Sequence, residues 1–140
     1  MIAIKQTCLL LVAGLWTSAL LGSGYTGSTM VGGWTEQNPQ GSPKYLKLAH
    51  YAVSTQTEGE TVYNTVLNLT NVATQVVAGV NYNLTFTTAP TSCRIGQVQY
   101  SATQCPPAGP VNGKCSAIVY VVPWMNTTQV TSYTCSGATN

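Results

Sequence analysis

The hydrophobic period of this chain changes once, from about 3.6 residues to about 2, and this change restricts its fold more than any other feature. From Ser42, apolar residues recur at the spacing of one helix face: Tyr45, Leu48, Ala49, Ala52 and Val53. Ser42 is a typical N-cap and Pro43 suits a first helical turn, so we predict a helix that ends near Thr55. Gly59 then marks a break.

Beyond this break the residues alternate as they do in a half-buried antiparallel sheet. We predict a first strand from Thr61 with these residues on one side: Tyr63, Leu67, Leu69 and Ala73. The second strand alternates more regularly, with these residues on one face: Val80, Tyr82, Leu84 and Phe86. Residues 91–113 are rich in Pro, Gly, Ser and Gln and predict an irregular connection, followed by strands from Cys115 to Val122 and through Tyr133. One helix followed by antiparallel strands predicts an α+β domain whose helix covers the apolar face of the sheet.

The beginning of the chain has the composition of a secretory signal. Lys5 precedes an apolar run at residues 8–21, and small residues follow it. The run is too short to span a bilayer comfortably, and no other segment is apolar enough to cross one. We therefore expect residues 1–24 to be removed, at a site between about Ala19 and Gly27, and residues 25–140 to form a single secreted, extracellular domain.

Removal of the signal also removes Cys8 and leaves an even set of cysteines: Cys93, Cys105, Cys115 and Cys135. In a secreted chain this number implies two disulfides, and four cysteines allow three pairings. If the last two strands form a hairpin centred near Met125, Cys115 and Cys135 lie equidistant from its tip and face each other. Cys93 and Cys105 are then the remaining pair.

Charge and titratable groups exclude several classes of function. Without the signal, four basic residues stand against three glutamates and no aspartate, so the domain is close to neutral and carries no nucleic-acid-binding patch. A single histidine, His50, and no free thiol argue against a small secreted hydrolase and against a metal site. We expect no enzyme activity, no cofactor and no metal.

Glycosylation sequons provide another source of solubility for a chain with few charges. They begin at Asn68, Asn83 and Asn126, each with threonine two positions later. Asn68 and Asn83 fall on the polar faces of their predicted strands, and we expect one or two of the three sites to be used.

Two predicted turns are apolar, although turns are usually polar. Gln75-Val76-Val77-Ala78-Gly79 joins two strands, and Pro123-Trp124-Met125 joins two others. One interpretation is that these side chains form a contact surface, because exposed apolar tips reduce solubility unless a partner covers them. The other is that the valines continue the strands and Trp124 folds back onto the core. Composition alone favours neither.

These residues resemble motifs of the cystatins, secreted inhibitors of papain-like cysteine proteases. The segment 75–79 is similar to their first hairpin loop, Q-x-V-x-G, and Pro123-Trp124 is similar to their second. Gly32-Gly33 after Met30-Val31 resembles their N-terminal glycine, and two cysteine pairs follow in the expected order. The helix segment 48–52 and the strand start 80–82 look particularly like the small salivary cystatins of ticks. The resemblance implies one long helix packed across a four- to five-stranded antiparallel sheet with two disulfides.

The resemblance also implies a mechanism, namely reversible, noncovalent, tight-binding inhibition of proteases of the cathepsin L, S, B and C type by a wedge inserted into the active-site cleft. Met30 and Val31 would occupy substrate pockets on the nonprimed side, and Gly32 would turn the chain away from the catalytic thiolate. Val76 and Val77 would cover the cleft near the catalytic pair. The protease-binding set is completed by Gly33, Gln75, Ala78, Gly79, Pro123 and, as the expected hot spot, Trp124.

Alternatives remain for several of these residues. Gly32 and Gly33 also fit a flexible linker after a signal peptide, and a glycan on Asn126 would lie close to Trp124. The rival function is a secreted binding protein with the cystatin fold that inhibits no protease. Some cystatins inhibit legumain through an asparagine in the loop after the helix; residues 57–60 contain none, so we expect weak or absent legumain inhibition. We expect a monomer, although strand exchange at residues 75–79 would give a domain-swapped dimer.

Overall fold

Within the described part of the chain, five antiparallel strands and one α-helix make up the fold. The structure, a computed structural model, describes residues 33–137, and the predicted signal sequence lies outside this range. The elements belong to the unit Trp34–Asn140 and are β1 (Trp34–Gln37), α1 (Pro43–Ser54), β2 (Val62–Val77), β3 (Gly79–Arg94), β4 (Gly113–Val122), a 3-10 helix (Pro123–Met125) and β5 (Thr127–Gly137). The strands lie in the order β1-β2-β3-β4-β5, which confirms the predicted α+β class.

The helix has the bounds that its capping residues predict. The Ser42 hydroxyl accepts a hydrogen bond from the backbone N–H of Lys44 at 3.3 Å, and Pro43 begins α1. One face of α1 is buried against the sheet through three small residues: Ala49, Ala52 and Val53. Small side chains allow the helix to lie close to the strands.

The core lies between α1 and one face of the sheet. Leu84 and Phe86 of β3 are fully buried, as the alternation of that strand predicts, and Val119 of β4 is fully buried beside them. Burial of side chains of this size stabilises the fold by roughly 1.5–3 kcal/mol each. The central strands and the helix are therefore a rigid support for the turns at the ends of the strands.

The face predicted for β2 is wrong in part. Tyr63 and Leu69 are buried as expected, but Val66 and Val72 are buried instead of Leu67 and Ala73. The register between β2 and β3 shifts at three places, and two of these shifts, between Val66 and Asn68 and between Leu69 and Asn71, each insert one extra residue on β2. Each one-residue insertion moves the following side chains of β2 to the other face, so a strict period of two fails over 16 residues.

The predicted irregular connection begins later than expected, because β3 continues through Pro90 to Arg94. β4 pairs with β3 only as far as Thr88, so Pro90 lies beyond the β3–β4 ladder, where a missing N–H is tolerated. The disulfide Cys93–Cys105 closes the connection, and Cys115–Cys135 joins residues that are directly opposite in β4 and β5. Both disulfides are the pairs that the hairpin predicts.

Within residues 33–137, no helix is long and apolar enough to span a membrane.

Candidate functional site at one end of the sheet

The antiparallel register brings both apolar turns to the same end of the sheet. The β2–β3 turn closes at the pair Val77 and Gly79, and β3 then runs beside β4 with Val80 opposite Val121. The β4–β5 turn therefore begins next to the β2–β3 turn. The start of β1 lies there as well, because Trp34 pairs with Gln75. We call this surface the tip edge and define it as Trp34, residues 75–79 and residues 123–126.

The first turn is held in a fixed shape by contacts with the neighbouring strand. Gly79 has φ of 110°, a conformation that L side chains rarely adopt, and a Cβ there would lie 2.6 Å from the carbonyl oxygen of Val121. The Tyr120 hydroxyl donates a hydrogen bond to the carbonyl oxygen of Ala78. At the base of the turn, the Asn81 side-chain amide donates to Oε1 of Gln75 at 2.9 Å. The first turn is thus held against β4 by close backbone packing as well as by a side chain.

The second turn presents its largest side chains to solvent. Pro123–Met125 form a 3-10 turn that Asn126 ends in the left-handed conformation, with φ of 52°. Trp124 is 71% exposed and Met125 is 67% exposed. Trp124 therefore does not fold back onto the core, whereas Val76 and Val77 do continue β2 and are exposed at its end, so each of the two interpretations is correct in part.

The chemistry of the tip edge suits binding and not catalysis. Val76 is 68% exposed, and Trp34 and Val77 are also exposed, so apolar side chains dominate this end of the sheet. The tip edge contains no residue that titrates, so it has no group for acid, base or nucleophilic chemistry. An exposed apolar patch of this kind is typical of a protein interface.

The single histidine lies away from the tip edge, and its contacts support the fold. His50 Nδ1 lies 2.6 Å from the Tyr100 hydroxyl, which lies 2.7 Å from the Thr65 hydroxyl. Burial lowers the pKa of His50 below its ordinary value. This chain of hydrogen bonds connects α1, β2 and the irregular connection, so it holds the connection against the sheet. Among the described residues, no three side chains of the metal-binding types are grouped together.

Sequence reasoning identified both turns of the tip edge, with Met125 as part of the second apolar turn, but it missed Trp34, which is exposed there. It also missed Tyr120, which supports the first turn from β4. Both depend on pairing or contact between strands. Of the predicted N-terminal site residues, Met30, Val31 and Gly32 lie outside the described residues; Gly33 is exposed.

Comparison with known protein families agrees with this geometry. The Cystatin domain family model matches residues 32–124, which include the first turn and Pro123-Trp124 of the second. The chain belongs to the cystatin family. Cystatins inhibit cysteine proteases, so the chain belongs to a family of protease inhibitors and not of enzymes.

Tick cystatins are among the similar proteins, which confirms the resemblance seen in the sequence. The chain is 50% identical over 110 residues to Cystatin-2 of Ornithodoros moubata, covering 78% of this chain and 85% of the relative. It is 52% identical over 108 residues to Mialostatin of Ixodes ricinus, covering 76% of each. The crystal structure of a salivary cystatin from the soft tick Ornithodoros moubata superposes with a TM-score of 0.72 at 50% identity, over 75% of this chain and 97% of that one. Mialostatin, a gut cystatin from the hard tick Ixodes ricinus, superposes with a TM-score of 0.73 at 50% identity, over 76% of this chain and 100% of that one.

Proposed function

We propose that this cystatin acts on papain-like cysteine proteases, cathepsins among them, by inserting the tip edge reversibly into the active-site cleft. One observation carries the proposal: the register of the sheet brings Trp34 and both apolar turns to the same end of the sheet. The tip edge that they form contains no charged residue. A narrow apolar edge fits a cleft better than a flat surface would. Because the tip edge offers no reactive group, inhibition occurs by occlusion and without a covalent bond.

Each part of the tip edge has a role in this proposal. Val76 and Val77 cover the cleft near the catalytic residues, and Trp124 lies on the primed side with Met125 beside it. The segment 30–33 directly precedes Trp34 in the chain, and its proposed role is to fill the nonprimed pockets and then turn away from the thiolate. Gln75, Ala78, Gly79 and Pro123 keep the turns in shape.

The affinity in this proposal comes from desolvation and from a shape that exists before binding. Nanomolar binding requires about 12 kcal/mol, which a standard-sized interface reaches when a few anchors are well buried. Trp124 is the largest anchor, because most of its surface is exposed in the free protein and becomes buried in the cleft. The hydrogen bond from Tyr120 to Ala78 and the crowding at Gly79 hold the first turn, so little conformational entropy is lost on binding.

We also propose that the protein acts outside the cell as a monomer. Removal of residues 1–24 in the secretory pathway would free the segment 30–33 for binding, and two disulfides suit an oxidising compartment. Exchange of strands between two chains would open the turn at residues 75–79 into a continuous strand. A dimer of that kind would lose the first turn and, with it, inhibition.

The experiment is steady-state inhibition of papain and cathepsins L, S, B and C by the secreted, disulfide-bonded protein, with legumain as the control protease. The test variant is Trp124→Ala, and the control is Val98→Ala, an exposed apolar residue in the connection beyond the opposite end of β3. We expect reversible inhibition of at least one papain-like protease, a loss of roughly thirtyfold or more in Trp124→Ala, and no loss in Val98→Ala. Inhibition of none of these proteases would favour the rival function, a cystatin-fold binding protein that does not inhibit.

A further inference from the structure

The sequon at Asn126 lies in a different structural setting from the other two. Asn126 is exposed and ends the β4–β5 turn in the left-handed conformation, which asparagine tolerates well. Asn68 and Asn83 instead lie within paired strands: Asn83 is half-buried, and Asn68 is exposed, with its backbone N–H donating to the Thr87 hydroxyl at 3.2 Å. An acceptor asparagine in an exposed turn is the easiest of the three to modify without disturbing the sheet.

Asn126 is also the sequon that lies within the tip edge. The last pair of the β4–β5 ladder is Val122 and Thr127, so residues 123–126 form the whole turn. The backbone N–H of Asn126 donates to the carbonyl oxygen of Pro123 at 3.1 Å, which places Asn126 directly across the turn from Pro123. A large group on Asn126 therefore stands in the surface that Trp124 and Met125 present.

The other two sequons are farther from the tips. Asn83 is four residues along β3 from Gly79, about 13 Å at the usual rise of a strand. Asn68 is nine residues along β2 from Val77, about 30 Å by the same rule. A glycan on either residue leaves the tip edge free, so these sites are internal controls for the effect of a sugar at Asn126.

We propose that the secreted protein carries an N-linked oligosaccharide on Asn126, and that this sugar hinders insertion of the tip edge, so that the glycosylated form is the weaker protease inhibitor. This inference rests on the proposed function. In the transfer step, the Asn126 side-chain nitrogen forms a bond to the anomeric carbon of a lipid-pyrophosphate-linked oligosaccharide. The bond from that carbon to the pyrophosphate oxygen breaks, the lipid pyrophosphate leaves, and the amide nitrogen gives up one proton.

Thr128 allows the sugar to be removed without a change in the tip edge. It is the third residue of the sequon and is exposed, and its backbone carbonyl accepts a hydrogen bond from the Tyr51 hydroxyl at 3.1 Å. Thr128→Ala destroys the sequon and Thr128→Ser retains it, while both keep this backbone contact. The pair separates loss of the glycan from loss of the threonine side chain.

The experiment is to secrete the full chain and both variants from a eukaryotic host, measure glycan occupancy by mass spectrometry of the peptide that contains Asn126, and determine inhibition constants for a papain-like protease. We expect Asn126 to be occupied in the wild type and in Thr128→Ser. We expect the inhibition constants of both glycosylated forms to be about tenfold or more above that of Thr128→Ala. Enzymatic removal of the glycan should abolish this difference.

Two results would overturn the inference and leave the proposed function intact: an unmodified Asn126 in the wild type, or an occupied site with the inhibition constant of Thr128→Ala. A failure of all three proteins to inhibit, before and after removal of the glycan, would instead overturn the proposed function, and the inference with it. Loss of inhibition in Thr128→Ala alone would also contradict the inference.

Discussion

Substitution of Gly79 by alanine tests how closely the first turn approaches β4. Gly79 has φ of 110°, and an added Cβ would lie 2.6 Å from the Val121 carbonyl oxygen and 3.0 Å from a Val122 methyl carbon. Both contacts belong to the strand that leads into the second turn. Gly59 is the matched control, because its φ is 77° but nothing lies within 4 Å of an added Cβ. The two substitutions share backbone strain and differ in crowding.

The expected difference follows from these two terms. A non-glycine residue at positive φ costs about 1 kcal/mol, which is the whole effect at Gly59. At Gly79 the clash with backbone atoms adds about 2 kcal/mol of overpacking, which gives a loss of about 3 kcal/mol. For a domain of this size, 1 kcal/mol lowers Tm by about 4 °C. We therefore expect Gly79→Ala to lower Tm by about 12 °C and Gly59→Ala by about 4 °C.

Thermal unfolding followed by circular dichroism, with both disulfides intact, measures these shifts, and inhibition constants below Tm measure the effect on the tip edge. Relief of the clash has to move the first turn away from β4, so Gly79→Ala should also weaken inhibition while Gly59→Ala should not. Equal Tm shifts in the two variants would refute the close approach at Gly79. A large Tm shift with unchanged inhibition would refute the link between this packing and the inhibitory shape.

Three further predictions concern a disulfide, a histidine and salt. Replacement of Cys93 and Cys105 together by alanine should lower the free energy of unfolding by roughly 3 kcal/mol in a urea titration. It should leave the inhibition constant unchanged, because this disulfide is at the far end of β3; a large loss of inhibition would contradict that placement. Burial lowers the pKa of His50 below its ordinary value of 6.5, so as pH falls the unfolded chain takes up a proton before the folded protein does. The stability that neutral His50 contributes is therefore fully present above pH 6.5 and is lost as pH falls through the lower folded pKa. His50→Gln should remove this part of the pH dependence of the urea midpoint, and identical pH profiles would contradict the burial. Finally, the tip edge carries no charge, so the inhibition constant should change less than about twofold between about 50 and about 500 mM NaCl; a steep salt dependence would indicate a charged contact elsewhere on the chain.

The sequence predicts those elements whose residues follow a single period. The helix α1 has a cap, a proline at its first turn and one small apolar face, and it begins and ends where these predict. β3 alternates without interruption from Val80 to Phe86, and its faces are correct. In β2 the local pattern is misleading, because the register shifts depend on pairing with β3 and leave no signal in β2 itself.

The candidate site is predictable in part for the same reason. Both apolar turns are contiguous segments, so their unusual composition is visible in the sequence. The position of Trp34 beside Gln75 depends on the pairing of β1 with β2, and the four-residue strand β1 is too short to show a period. The support of Ala78 by Tyr120 arises between strands that are separated by a disulfide-closed connection, so it requires the folded sheet.

The most direct test of tip-edge insertion is a binding measurement with a protease whose cleft is open or already filled. Calorimetry would compare this protein's affinity for a papain-like protease that it inhibits with its affinity for the same protease after covalent labelling by a peptide-based active-site reagent. We expect tight binding to the open cleft and a loss of roughly a hundredfold or more when a peptide fills it. Equal affinity for both forms would mean that the protein binds outside the cleft, which would contradict inhibition by occlusion.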